Sequence, residues 1–235
     1  MEDPQLRPWS ALKAEGWTSY RLRRAVAEEQ MVRLTRRVYA PVVELTPQQE
    51  HLRRAAALLS THRRSVVLSH TSAALAHGLS VQVDNPTRVD LTTPPPGRGK
   101  KTPAYHLRCA PLTADEVVTI GELRVTSLAR TVADLARTTP FTWGVVAADQ
   151  ALAKDISRDA LLAAVESGKR RTGVEQARRV VEFADGRSES VAESASRVTI
   201  ARTGLPMPTR YLSGDPVGRG YGRRARHDLL PLSHA

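Results

Sequence analysis

The sequence predicts an α+β fold: an N-terminal winged helix-turn-helix, a mixed α/β middle region, and a helical C-terminal part that runs out into a disordered basic tail. Three observations predict it. Residues 16–41, GWTSYRLRRAVAEEQMVRLTRRVYAP, place a short basic helix directly ahead of an alternating, hairpin-like segment. Strand-like and helical runs then alternate as far as Val125, and from Ser127 the apolar spacing becomes helical. The stretch from Gly218 to His227 has almost no apolar content. These changes of character divide the chain into residues 1–45, 46–185 and 186–235.

Within the first segment, Leu22, Ala25 and Val26 recur at helical spacing from Thr18 onward, so one face can be buried. Arg21, Arg23 and Arg24 fall on or beside the other face, with Ser19 and Tyr20 at its N-terminal end. A helix that offers its first turns to DNA needs this chemistry, polar groups for base edges and cations for phosphates. Met31 to Tyr39 then alternates, with Val32, Leu34 and Val38 set against Arg33, Thr35 and Arg37, which predicts a wing with a cationic face. Arg33, Arg36 and Arg37 are the expected phosphate contacts. Residues 16–40 carry six Arg against two Glu, so the charge is clustered here. Only fifteen residues precede Gly16, and the helix ahead of it is expected to be short or absent.

The middle region reads element by element. Thr46-Pro47 is a cap followed by a first-turn proline, opening a helix to about Ser60. Val66 to Leu68 reads as a buried strand, Ser69 to Leu79 as a short helix stopped at Gly78, and Thr87 to Thr93 as an alternating strand. Pro94 to Lys101 is expected to be an exposed loop. Tyr105–Cys109, Glu116–Ile120 and Leu123–Val125 follow as strands, the last two hinged at Gly121-Glu122.

Helices follow. Leu128, Thr131, Val132 and Leu135 share one helical face, Thr139-Pro140 opens a helix through Leu152, and Ser157 caps another. Val174, Ala177, Val180 and Val181 share a face of the next. Ser188 is expected to cap a last helix running to about Thr203 and ending at Gly204-Leu205-Pro206.

Composition narrows the function classes. The chain has 235 residues, 41% hydrophobic and 25% charged, which is ordinary for a globular protein, but its formal charge is +11. A surplus of that size favours polyanionic partners, nucleic acid first among them. The single cysteine, Cys109, leaves no intrachain disulfide and no cysteine metal cluster. The opening MEDPQLRPWS lacks the apolar core of a secretory signal, and no run of about 18 apolar residues offers a membrane span, so a cytoplasmic protein without a membrane partner is expected.

Four segments in order resemble a known family. GWTSYRLRRAVAEEQMVRLTRRVYAP resembles the N-terminal winged helix of AbiEi-type antitoxins from type IV toxin–antitoxin systems. LSHTSAALAHGL and LRVTSLARTVADLAR resemble the middle region of the same actinobacterial proteins. SESVAESASRVTIARTGLPMPTRY is similar to the entry of their C-terminal domain, itself similar to very-short-patch-repair-type endonucleases of the restriction-endonuclease-like fold. The resemblance implies a winged helix that binds an operator and represses transcription, together with a domain that, when complete, cuts DNA with a divalent metal. Glu189 and Glu193 are the acids of this chain on the helix that precedes those catalytic strands, placed one turn apart on one side. After Tyr211 no strand carrying Glu-x-Lys is legible, and the remaining acids are Asp215 and Asp228. The expected reading is therefore a truncated nuclease-like segment with Glu189 and Glu193 as vestigial candidates and no catalytic residues.

Other constellations point elsewhere. His62, His70 and His77 lack the accompanying carboxylate or cysteine that a zinc site needs, so capping and core roles are expected and no metal or other cofactor. Asp134 and Asp149 are read as local salt bridges or caps, and Trp9, Trp17 and Trp143 as core or interface. The leading expectation is a noncatalytic DNA-binding regulator of antitoxin type. Its partners would be double-stranded DNA, a toxin or other protein, and a second copy of itself. The alternatives are a degenerate metal-dependent DNA endonuclease and a module that only binds protein.

Overall fold

In a computed structural model, residues 5–62 and 65–203 are described. The N-terminal unit opens with a two-residue strand β1 (Arg7–Pro8) and a helix α1 (Trp9–Ala14). A turn leads into helix α2 (Ser19–Ala27), then strands β2 (Met31–Arg33) and β3 (Val38–Pro41). The three strands form an antiparallel sheet in the order β1-β3-β2. The helix before Gly16 is thus present, though only six residues long. β1 had no sequence signal, because two residues cannot display a period.

α2 forms where the sequence places it. Thr18 is its N-cap, with its hydroxyl accepting from the Arg21 N–H at 3.1 Å, and Leu22 and Ala25 are buried. Val26 lies outside that buried face, at 36% exposure. The β2–β3 alternation breaks at the turn: both Leu34 N–H and Thr35 N–H donate to the Val38 carbonyl. Leu34 consequently turns inward to join Val38 and Ala40, and Ala57 of the next helix completes their cluster.

That next helix, α3 (Pro47–Thr61), starts with a capping box in which Thr46 and Gln49 satisfy each other's backbone N–H groups. Arg53 donates to the Pro41 carbonyl at 2.9 Å, tying α3 to the N-terminal sheet. The rest of the middle region is built from β4 (Val67–Leu68), α4 (His70–Ala76), β5 (Val89–Thr93), β6 (Lys100–Lys101), β7 (Tyr105–Cys109), β8 (Val117–Ile120) and β9 (Leu123–Thr126). They make a mixed sheet in the order β6-β7-β5-β4-β9-β8. The end of the predicted Pro94–Lys101 loop is in fact β6, recruited by pairing with His106 and Leu107. Leu68, Val89, Leu91, Leu123 and Val125 face Leu52, Ala55 and Leu58 of α3 and Ala73 and Leu75 of α4.

Helices α5 (Leu128–Thr138), α6 (Phe141–Leu152), α7 (Arg158–Ser167), α8 (Val174–Phe183) and α9 (Val191–Thr203) pack around α5 and α6 in a second core. Ser157 caps α7 as its sequence predicts, accepting from Ala160 N–H at 3.1 Å. The cap of α9 is Ser190 and not Ser188: Ser190 Oγ accepts from Glu193 N–H, whereas Ser188 Oγ lies 3.0 Å from the Ser194 hydroxyl. The α5–α6 contact is close because Gly144 has no side chain; a Cβ there would meet the Ala136 Cα at 3.2 Å. The predicted helix stop at 204–206, the segment beyond Tyr211 and the basic tail lie outside the described residues.

Charges inside this body are paired. Asp134 on α5 is 1% exposed and meets Arg130 at 2.9 Å, Arg171 at 3.5 Å and Arg137. Arg130, itself 2% exposed, also donates to Glu116 at 2.8 Å and to the Pro111 carbonyl. Asp134 thus has the local partners the sequence implies, plus one from beyond α7. Asp149 differs: its carboxylate accepts from Ser194 at 2.6 Å and Arg197 at 2.9 Å, both on α9, so it is a long-range tie and not a local bridge. Burial pushes its pKa up against those bonds.

The histidines are part of the scaffold. His62 Nδ1 lies 2.7 Å from the Leu58 carbonyl at the end of α3, and His77 Nε2 lies 2.8 Å from the Thr126 carbonyl. His51 bridges the Pro86 carbonyl and the Ser72 hydroxyl. His70 begins α4 with φ of 49°, in the left-handed region, and its buried Nε2 has no partner among the described residues. Burial lowers its pKa to about 4, against the attraction of Asp134.

Two outcomes follow from these groups. Asp134→Ala leaves guanidinium groups buried without their counter-charge, and it is expected to cost ~3–5 kcal/mol in urea unfolding. His70 stays neutral in the folded chain down to about pH 4, whereas its unfolded pKa is 6.5. The unfolded chain therefore binds the extra proton, and stability falls as pH drops from 6.5 to 4, by on the order of 3 kcal/mol. His70→Asn, which tolerates the left-handed backbone, is expected to flatten that part of the stability–pH curve.

Candidate nucleic-acid interface

The charged face of the N-terminal unit is assembled from α2 and the β2–β3 turn. Leu22 and Ala25 anchor one side of α2, which leaves Ser19, Tyr20, Arg23 and Arg24 on the exposed side. Tyr20 is 71% exposed, an aromatic ring presented to solvent in the first turn. No carboxylate lies in that first turn. No acid within that turn offsets the positive end of the helix dipole.

Each cation is held differently. Arg21 stacks its guanidinium over the Trp17 ring, 4.2 Å from the centroid, which places it at the flank of α2 near the preceding turn. Arg23 donates to the Ser19 carbonyl at 3.2 Å. Arg24 pairs with Glu28 one turn on at 2.6 Å, both partners being solvent-exposed. Arg33 folds back onto the hairpin turn, donating to the Thr35 and Arg36 carbonyls. Among the described residues, the Arg36 and Arg37 side chains have no carboxylate within ion-pair distance, and both are exposed.

The predicted residues therefore gather into two groups on one unit, Ser19 to Arg24 on α2 and Arg33 to Arg37 on the turn. Sequence reasoning did not find their neighbours Trp9 and Lys13, which lie on the same face of α1 beside the turn; Trp9 N–H donates to the Arg37 carbonyl at 2.7 Å. Their spacing of four was the available signal.

The acids of the C-terminal part sit elsewhere than the sequence implies. Glu189 precedes α9 instead of lying on it, and its N–H donates to the Glu193 carboxylate at 2.9 Å. The two side chains do not share a helical face. Glu193 is engaged at the helix start, where a carboxylate satisfies unpaired N–H groups. The segment beyond Tyr211, where the resemblance would put further metal-holding acids, lies outside the described residues. No helix among those residues is long and apolar enough to cross a membrane.

Comparison with solved structures bears on the fold. No family model matches the chain, and no curated protein matches it in sequence. Among solved structures, the chain is similar to the Rv2827c protein from Mycobacterium tuberculosis, with a TM-score of 0.55 over 88% of this chain and 79% of that one. At 15% identity the likeness concerns the fold alone.

The cap of α2 can be probed directly. Thr18→Ala removes the acceptor for Arg21 N–H and is expected to cost ~1 kcal/mol of stability, with Thr18→Ser retaining most of it in thermal unfolding.

Proposed function

We propose that this protein is a noncatalytic DNA-binding regulator of antitoxin type whose N-terminal unit is a winged helix. The observation that carries this reading is the order strand, helix, helix, strand, strand with the sheet arranged β1-β3-β2, around an exposed cationic second helix. In that topology α2 is the recognition helix and the β2–β3 turn is the wing. Ser19, Tyr20, Arg23 and Arg24 then approach base edges in the major groove, Arg21 holds the flank, and Arg33, Arg36 and Arg37 grip phosphates. The sequence resemblance to AbiEi-type antitoxins supports the regulatory role, with the middle region facing a toxin or other protein. A second copy would read a second half-site.

A metal-dependent nuclease is the weaker reading, since Glu193 serves the start of α9 and Glu189 lies off the helix.

The test is binding of the full chain to its own promoter fragment, titrated with salt against a scrambled competitor, with and without Mg²⁺. Tight binding that resists the competitor and leaves the fragment intact is the expected result. Equal, salt-labile binding to both fragments, or Mg²⁺-dependent cutting, overturns it. Arg24→Ala is expected to cost ~1–3 kcal/mol on the specific site alone, whereas Arg36→Ala weakens all sequences alike and lowers the salt slope by about 1.

A further inference from the structure

A groove of about 910 Å³ runs between the β2–β3 turn and the middle region. Its walls include Trp9 and Lys13 of α1, Arg36 and Arg37 of the turn, His62 at the end of α3, and Tyr105 at the start of β7. Among the described residues that line it there is no carboxylate, and Lys13, Arg36 and Arg37 are the cations. Its rings are also unusual in a chain that is only 4% aromatic. Trp9 and Tyr105 are both half-buried where they line the groove, and the His62 and Tyr105 rings meet edge to face at 5.3 Å.

An occupant must therefore be anionic and must offer flat apolar faces. Phosphates joined to bases meet both requirements. In a duplex the base faces are stacked on one another, so only an unpaired strand can lend them to Trp9 or Tyr105. The geometry points to a binding site for single-stranded nucleic acid in this groove, next to the turn that would act as the wing. It shares Arg36 and Arg37 with the proposed duplex site but none of the α2 residues, so the two can fail separately.

The experiment uses the full chain, fluorescein-labelled (dT)12, an abasic 12-mer of the same charge, and a labelled promoter duplex, followed by anisotropy and by intrinsic Trp fluorescence. Expected are binding of (dT)12 with quenching of Trp fluorescence, and at least about tenfold weaker binding of the abasic strand, as loss of base stacking implies. Tyr105→Ala is expected to weaken (dT)12 about tenfold and to leave the duplex within about twofold, with Tyr105→Phe restoring binding. Should Tyr105→Ala not fold by circular dichroism, His62→Ala takes its place with the same expectation. Arg24→Ala is expected to leave (dT)12 untouched. Equal binding of (dT)12 and the abasic strand, indifference of (dT)12 to the loss of the ring, or poly-Glu binding with the same dependence on Tyr105 each overturns the proposal. Loss of promoter specificity with (dT)12 binding intact would overturn the regulator reading alone.

Discussion

The carboxylate of Asp134 is the constraint around which the body of this protein is arranged. A buried charge is costly unless fully paired, and here three guanidinium groups converge on one acid. Arg130 extends the pairing to Glu116, just ahead of β8, and Ser167 of α7 donates to the other oxygen of Glu116. One ionic cluster thus joins the sheet edge, α5, α7 and the loop before α8. Burial works to raise the pKa of Asp134, but His70, Arg130 and Arg137 outweigh it and hold the acid below the usual carboxylate range. The same logic recurs at Asp149, which fastens α9 to α6 through Ser194 and Arg197.

The N-terminal unit follows the opposite rule. Its cations are kept at the surface, and where they have partners these are backbone carbonyls, a ring or an exposed acid. Such contacts limit the conformations of long side chains without neutralising most of their charge. Residues 16–40 carry six Arg against two Glu and keep them exposed, whereas Arg130 and Arg197 of the body are paired with buried carboxylates.

Where residues act on near neighbours, the sequence was legible. Thr46 and Ser157 cap the helices they precede, and Leu22 with Ala25 marks the buried side of α2. Legibility failed where structure depends on distant partners. β1 and β6 exist because β3 and β7 accept them, and neither pair of residues has a pattern of its own. Ser188, Glu189 and Ser190 offer competing caps in a row, so the choice of Ser190 is decided by the packing of Ser194 against Asp149. Arg130 has the composition of a surface residue and is nonetheless among the largest fully buried side chains. The groove was illegible for the same reason: Trp9, His62 and Tyr105 are far apart in the chain and meet only once α3 and β7 are placed. The predicted α2 and turn residues, by contrast, are local sets, and the structure keeps each set together.

Helix α3 belongs to two hydrophobic clusters at once. Ala57 completes the small cluster with Leu34, Val38 and Ala40, while Leu52, Ala55 and Leu58 face the larger sheet. An element counted in both interiors cannot melt from one without baring apolar surface in the other. The N-terminal unit is accordingly not a bead on a string: its angle to the body is set by a shared rod, with Arg53 as a rivet to Pro41. Loss of α3 would therefore strip packing from the sheet of the body and from the N-terminal sheet together.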